Sequence, residues 1–438
     1  MNLGQDSFLA ELPGGWTFDR FKDVAMLRNE RTDEASEEED YLELEDLESG
    51  TGRILNRRNT MEVVSDVTRF KTGDVLFGKL RPYLEKFYVA GFDGKCTGEI
   101  LAFKPQRIES RFLFYCFASS WFIERCNMHA YGAKMPRVNW PTQLAQFNLP
   151  LPPLPEQQRI AAYLDASCAA IDAAVAAKRR QLETLDTLRR TVIQESVTKG
   201  LDPSVEMRVS DLDWLPEIPK HWNKAKLKRH THIIRGQFTH RPRSDPAFYG
   251  GPYPFIQTGS ISAADKFITE FTQTLNEEGL RISKLFPADT VVMTITGAKI
   301  AEVAVTTFEA CFPDSIVGFI PDHHLNRDYL FYLLVAMQPA LLRAMVVTTQ
   351  PNINYVQIGG NYIPLPPVRE QELIAEHIEQ KIQGIREIQK SLNQQITTLT
   401  AYRKSLIHEG VTGQRRITEP HVQRAATQLR FDKPCPKG

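Results

Sequence analysis

The 438-residue chain is 42% hydrophobic and 24% charged, which supplies packed cores and excludes a disordered or collagen-like polypeptide. Its 53 Lys and Arg balance 53 Asp and Glu, so net charge points to no nucleic-acid partner, and the length suggests about three structural units. No apolar run approaches the ~20 residues of a membrane helix, and the first residues do not read as a signal peptide, so no membrane partner is expected. The scattered cysteines (Cys96, Cys116, Cys126, Cys168, Cys311, Cys435) form no C-x-x-C pair and read as reduced thiols of a cytoplasmic protein.

In chain order, residues 1–150 read as a mixed α/β domain, with β-rich runs at Asp74–Phe77 and Glu99–Phe103 and a helical stretch at Ser110–Cys126. The acidic run Asp33–Glu48 reads as a solvated surface. Lys79 and Arg81 sit on a Gly-flanked loop just beyond the first strand, and Lys134 and Arg137 on a Pro-punctuated loop further on. Residues 151–205 hold a long helix: Glu156 to Lys199 contain no Gly or Pro and are dominated by helix formers. Roughly 42 residues at ~1.5 Å each make a rod of about 60 Å, entered through prolines whose missing N–H costs nothing there.

Residues 206–363 read as a second mixed domain, with strands at Thr290–Ile295 and Ser315–Ile320 and a helix at Asp328–Met345. It opens on Lys220–Arg243, where Lys224, Lys226, Lys228, Arg229, Arg235, Arg241 and Arg243 occur with no acidic residue among them. Thr296 and Lys299 follow its strand as Lys79 and Arg81 follow theirs, and Thr349, Gln350 and Asn352 lie on the later loop. Residues 364–414 give a second long helix, and 415–438 read as a basic flexible tail.

The chain is in fact written twice. Pro150-Leu-Pro-Pro-Leu-Pro-Glu-Gln157 recurs as Pro364-Leu-Pro-Pro-Val-Arg-Glu-Gln371, and an offset of 214 residues then holds without a gap to Glu195-x-Val-Thr198 and Glu409-x-Val-Thr412. Ile378, Ile385, Leu392, Leu399 and Leu406 recur every seven residues, with Ile374, Ile388 and Tyr402 as companions. The first copy has Leu164, Ile171, Leu185 and Val192, with Ile160 and Leu188 beside them. This is a coiled-coil seam, interrupted by Lys178, Gln181, Lys381 and Gln395, and it predicts that Glu156–Val197 and Glu370–Glu409 pack against each other. The domains echo each other only at landmarks such as Glu11-Leu-Pro-x-x-Trp16 with Glu217-Ile-Pro-x-x-Trp222, and Lys134-Met-Pro-Arg-Val-Asn139 with Thr349-Gln-Pro-Asn-Ile-Asn354.

Two divergent domains, each closed by an L-P-x-P-P-x-x-E-Q segment and a long helix, resemble the specificity subunit of type I restriction-modification systems over roughly residues 11–412. The strongest carriers are Leu149–Gln157, Tyr362–Gln371, Gly78-Lys-Leu-Arg-Pro-Tyr-Leu84 and Thr296-Gly-Ala-Lys-Ile300. The resemblance implies two target recognition domains alternating with two helices that form an antiparallel coiled coil, related by a pseudo-two-fold repeat. Each domain would read half of a split, asymmetric site on double-stranded DNA, and the helices would space the halves and dock methyltransferase subunits, two of them by the symmetry. The chain itself would hold no cofactor; S-adenosylmethionine would belong to the methyltransferase, and ATP with Mg to the restriction helicase-nuclease subunits.

DNA contact then falls to the local basic loops, since phosphate neutralisation needs a patch rather than a basic total. Lys79, Arg81, Lys134, Arg137, Lys226, Lys228, Arg229, Arg235, Arg241 and Arg243 are its cationic candidates. Thr296, Lys299, Thr349, Gln350 and Asn352 match them in the second domain, Arg suiting guanine and Gln or Asn adenine. Catalytic signals fail: Asp245-Pro-Ala-Phe248 has Ala where a methyltransferase motif needs a second proline, and His230-x-His232 and His323-His324 lack companions for a metal. Two other readings stay open, a self-contained modification enzyme with an unrecognised site and a coiled-coil adaptor with no DNA role.

Overall fold

The computed structural model describes residues 12–32, 40–59, 67–212, 214–240, 244–297, 299–343 and 352–431. Its helices of note, in chain order, are α1 (Ser110–Ala118), α2 (Ser120–His129), α3 (Leu154–Lys199), α4 (Arg327–Arg343), α5 (Val368–Val411) and α6 (Glu419–Phe431). The chain divides into two units, residues 1–180 with 392–438 and residues 181–391, so each holds one recognition domain and part of both long helices.

In the first unit a four-stranded sheet, ordered Ala25–Leu27, Ile100–Pro105, Val75–Gly78, Phe87–Val89, lies beside a five-stranded one. Aromatic side chains fill the space under α1 and α2: Phe21, Phe77, Phe103, Phe117 and Phe122 are fully buried, with Phe21 and Phe103 ring centres 4.6 Å apart. The expected single helix over Ser110–Cys126 is two, because Ser119 leaves the helical conformation and its hydroxyl caps α2 by accepting from the Phe122 N–H. The core runs unbroken from these helices to Leu164, Cys168 and Ile171 of α3 and Leu406 and Val411 of α5.

The second unit repeats the plan with other residues. Its main sheet runs Thr231–Arg235, Ile316–Pro321, Val291–Thr294, Val303–Thr306, Phe267–Ile268, and packs on α4. Tyr329, Leu330, Leu333 and Leu334 of α4 join Ile193 and Val197 of α3 and Ile374, Ile378 and Ile382 of α5 in one core. In both units a short ladder feeds the helix start: Thr17–Arg20 pairs antiparallel with Asn148–Leu151, and Asn223–Lys226 with Tyr362–Leu365. Each helix then ends at a glycine in the left-handed conformation, Gly200 (φ 76°) and Gly413 (φ 78°).

The long helices run antiparallel. In the first unit Lys178 donates to Gln395, Asp172 pairs with Arg403 at 3.1 Å and Leu164 lies beside Gly410, so position rises on one helix as it falls on the other. In the second unit Gln389 donates to Asp186 at 2.7 Å. Ile160, Leu164, Ile171, Ile374, Ile378, Ile385, Leu392 and Leu406 are buried, and Leu185, Val192 and Leu399 half-buried. Leu188, Ile388 and Tyr402 are not in the seam; they are 47%, 51% and 45% exposed. The partners of the 378, 385, 392, 399 series lie four residues on, at Ile382, Gln389, Ile396 and Arg403, all buried or half-buried. In α3 the set is Val175, Leu182, Arg189 and Ser196. Polar residues at half of these positions hide the true stripe, and apolar residues three on suggest a false one.

The tail expected to be flexible holds α6 instead. Ile417 and Ala425 are buried, Val422 packs on the first core, and the Ile417 carbonyl accepts from Arg159 at 2.9 Å. A sparse apolar stripe among basic residues carries it. Part of α3 is apolar enough, by length and composition only, to cross a membrane. Its Asp165 and Asp172, however, pair with Arg111 and Arg403, and Leu164 and Ile171 are buried in the first core.

Candidate nucleic-acid interface

In the first unit the strand Val75–Gly78 delivers a loop that is stitched to the segment preceding α3. Lys79 donates its N–H to the Glu99 carbonyl (2.9 Å) and accepts from the Val138 N–H (3.0 Å), and the Arg81 N–H donates to Pro136 (2.7 Å). Arg81 sits at φ 50° and Glu85 at φ 52°, left-handed conformations that non-glycine residues adopt at a cost of about 1–3 kcal/mol and that cluster at functional loops. The facing loop closes on itself through paired N–H···O bonds between Tyr131 and Arg137 (3.0 and 2.9 Å) and turns at Gly132. Lys134 is exposed near its tip, and its carbonyl accepts from Arg81 Nη2 at 3.3 Å.

Three of the four first-unit candidates thus share a polar edge: Lys79, Arg81 and Lys134. Arg137 is committed elsewhere, its guanidinium donating to both Glu99 oxygens at 3.1 and 3.0 Å. It braces the loop. Tyr83 and Tyr131 stand exposed on the same two loops (52% and 55%), rings suited to stacking or phosphate contact. Nothing in their sequence spacing marks them; exposure of a large ring is visible only once the loop is folded.

The second unit builds the same junction from neutral groups. Thr296 bridges Asn352 in antiparallel fashion, and the Ile353 N–H donates to Ile295 (3.0 Å) as Val138 does to Lys79. Gly297 (φ 106°) and Ala301 (φ 62°) bend the loop, and Thr294 Oγ1 accepts the Glu302 N–H while donating to the Lys299 carbonyl. Thr296, Gly297 and Lys299 line an open cleft of about 480 Å³ with Thr258, Gly259 and Ser262. Asn352 is exposed, whereas Thr349 and Gln350 lie outside the described residues, as do Arg241 and Arg243.

The described residues of this domain's basic run do not form one patch. Lys226 stands beside the helix start, its ammonium 5.4 Å from the Tyr362 ring centre, and Lys228 and Arg229 occupy the turn that follows. Arg235 lies at the far end of the strand Thr231–Arg235, about 13 Å along at ~3.4 Å per residue, level with the Thr296 loop. Its Nε donates to the Asp314 carbonyl at 2.6 Å. Among the described residues of the run, Arg235 is the one that reaches the sheet end that carries Thr296.

Possible catalytic groups resolve into structure. Asp245 accepts the Ala247 N–H at 3.0 Å and pairs with His240, a capped turn. His230 pairs with Asp322 at 3.2 Å, whose carboxyl is lowered because hydrogen bonds from the His324 N–H and His230 outweigh burial. Among the described residues no group of His, Cys, Asp and Glu is placed to hold a metal ion.

The two units thus build one plan twice, a mixed α/β domain seated on a pair of antiparallel helices with a bridged loop edge beside it. Residues 13–184 and 219–398 match the family described as type I restriction modification DNA specificity domain, and the chain belongs to that family. A Methanocaldococcus jannaschii protein named as a type I restriction enzyme MjaX specificity subunit is 23% identical over 430 residues, 93% of this chain and 96% of that one. A chain solved in work on complex assembly and conformational transition of the type I R-M system superposes with a TM-score of 0.76 at 22% identity, covering 92% of this chain and 98% of its own. The HsdS subunit from Thermoanaerobacter tengcongensis gives 0.54 at 21%, again over 92% and 98%. The fold is that of specificity subunits, and by family the role is DNA sequence specificity, a non-catalytic one, in a restriction-modification complex.

Proposed function

We propose that the chain reads a bipartite, asymmetric site on double-stranded DNA, one half with each domain, and delivers it to separate catalytic subunits. Two methyltransferase subunits supply adenine methylation with S-adenosylmethionine, and helicase-nuclease subunits supply cleavage with ATP and Mg, in the cytoplasm. The division of the chain into domain 1–150, helix 151–205, domain 206–363 and helix 364–414 serves that reading. One observation carries it: the loop after the central strand is bridged to the loop before the long helix in both units, Leu80 with Arg137 and Thr296 with Asn352. The same edge is therefore built twice and dressed differently, with Lys79, Arg81 and Lys134 in one domain and Thr296 and Asn352 beside Lys299 in the other.

The test uses the full complex with its methyltransferase. Lys79→Ala and Lys134→Ala, as phosphate contacts, each lower the slope of log affinity against log salt by about 0.9. Arg81→Ala, as a base contact, relaxes one half-site by about 1–3 kcal/mol, and Asn352→Ala relaxes the other. Methyl transfer by the rigorously purified chain alone would instead show an enzyme, and salt-independent or absent DNA binding by the complex an adaptor.

A further inference from the structure

The offset of 214 that aligns the helices maps Asp172 onto Arg386 and Arg189 onto Arg403. Each unit uses one such pair at the place where its domain meets its helices. In the first unit the pair is closed: Asp172 of α3 holds Arg403 of α5 at 3.1 Å. Among the described residues the domain adds the Gly50 carbonyl, which accepts from Arg403 at 3.1 Å, and Arg53, 3.3 Å from Asp172 with a side chain 61% exposed.

In the second unit both positions are arginine, Arg189 on α3 and Arg386 on α5, and two cations cannot close on each other. Arg386 meets Glu379 of its own helix at 3.0 Å, and the domain supplies the carboxylate that joins the two arginines. Asp265 takes Arg189 Nη2 at 2.7 Å on one oxygen and pairs with Arg386 through the other. The next residue carries the opposite charge: Lys266, 7% exposed, reaches Glu379 of α5 at 3.0 Å and Asp328 of α4 at 3.2 Å. Adjacent charges of opposite sign thus meet complementary groups across the seat.

We propose that Asp265 is a positioning residue that keys the second recognition domain to its helix pair by bridging Arg189 and Arg386, and that any domain exchanged into this unit must present a carboxylate there. A domain exchanged into the first unit needs none, because Asp172 and Arg403 neutralise each other. This rests on the proposed reading, since a domain's seat on its helices sets where its half-site is read along the duplex.

The experiment uses the full chain in complex with its methyltransferase, scored by genome-wide mapping of methylated sites. Asp265→Ala keeps the bases of both half-sites but discriminates about tenfold less against gaps one base pair longer or shorter. Asp265→Glu keeps discrimination, and Asp265→Ala combined with Arg189→Asp, which closes a pair with Arg386, recovers it. Hydrogen exchange of residues 258–268 in the full chain rises in Asp265→Ala and not in Asp265→Glu. Unchanged gap discrimination and exchange in Asp265→Ala would overturn the proposal, as would failure of Arg189→Asp to rescue a defective Asp265→Ala. A wild-type complex that methylates no specific sequence would overturn the functional reading instead, while the exchange measurement still judges the seat.

Discussion

Gln157 in the first unit and Gln371 in the second perform one task with the same atoms. Gln157 accepts from the Glu109 N–H (2.7 Å) and donates to the Pro152 carbonyl (2.8 Å), tying the start of α3 to the start of α1. Gln371 accepts from the Asn326 N–H (2.8 Å) and donates to His324 and Pro366 (both 2.9 Å), tying α5 to α4. The seats a few turns further along share no such chemistry: Asp172 with Arg403 in one unit, the Asp265–Lys266 pair in the other. The joint bonds to backbone groups, which every domain of this plan offers, so the same motif can serve twice. The seat of the second unit bonds instead to side chains that belong to its own domain, Asp265 and Lys266, so it is free to diverge with that domain.

Among the ion pairs, the largest effect should come from breaking the seat of the second unit. Lys266→Ala leaves Glu379 and Asp328 without their shared cation, which costs about 2–3 kcal/mol in urea unfolding of that unit. This falls below the 3–5 kcal/mol typical of buried pairs because Glu379 is 40% exposed. Arg53→Ala at the other seat should cost less than about 0.5 kcal/mol. Equal losses would mean that the two seats are alike after all. Acid sharpens the same contrast. Burial raises the Glu379 carboxyl, but hydrogen bonds from Tyr332, Lys266 and Arg386 outweigh it and bring its pKa down to about 2. A depressed carboxylate stabilises the folded state above its unfolded pKa near 4.5, and this stabilisation is lost as pH falls towards about 2. Glu379→Gln should flatten the stability-against-pH curve of the second unit across that window; an unchanged acid limb would count against the network.

The joints should respond alike. Gln157→Ala strands one N–H and one carbonyl, and Gln371→Ala one N–H and two carbonyls, of which that of exposed His324 can turn to water; at about 1–3 kcal/mol per unsatisfied buried group the two losses should agree within about 0.5 kcal/mol. Thermal unfolding of the single variants reads this directly. A large difference would show that one of the two motifs carries more than the joint.

How much of this the sequence displayed follows the same division. The doubled Pro-Leu-Pro-Pro motif, the gapless offset and, in the first copy, the absence of Gly and Pro gave the rods and the two-domain plan, because each rests on backbone geometry that composition constrains, while the antiparallel pairing came with the family resemblance. The loops carrying Lys79, Arg81, Lys134, Thr296 and Asn352 were visible as Gly- and Pro-punctuated ends, and the structure brings them together in pairs. Arg137 was indistinguishable from a free cation because its partner, Glu99, is 38 residues away. Tyr83, Tyr131 and Asp265 carry no local signal, since each matters only through what a distant segment places beside it.

The smallest effect tests where the stripe of the rods runs. Spacing alone pairs the 378, 385, 392, 399 series with residues three on, and Ile388 and Tyr402 make that choice attractive. In the fold the partners lie four on, which leaves Ile388 half in water and puts Ile382, 1% exposed, in the core of the second unit. The two positions are a turn or two apart on one helix and have the same side chain, so propensity and composition cancel between them. Ile388→Ser should therefore change stability by less than about 0.5 kcal/mol, as surface substitutions do, while Ile382→Ser removes a filled core position and costs about 2–4 kcal/mol. Leu188→Ser and Tyr402→Ser should follow Ile388, and Leu182→Ser should cost more than Leu188→Ser because Leu182 is half-buried at the corresponding place on α3. If Ile388→Ser destabilised as much as Ile382→Ser, the helices would be meeting along the stripe three residues on, and the antiparallel pairs Lys178–Gln395 and Asp186–Gln389 would have to break with it.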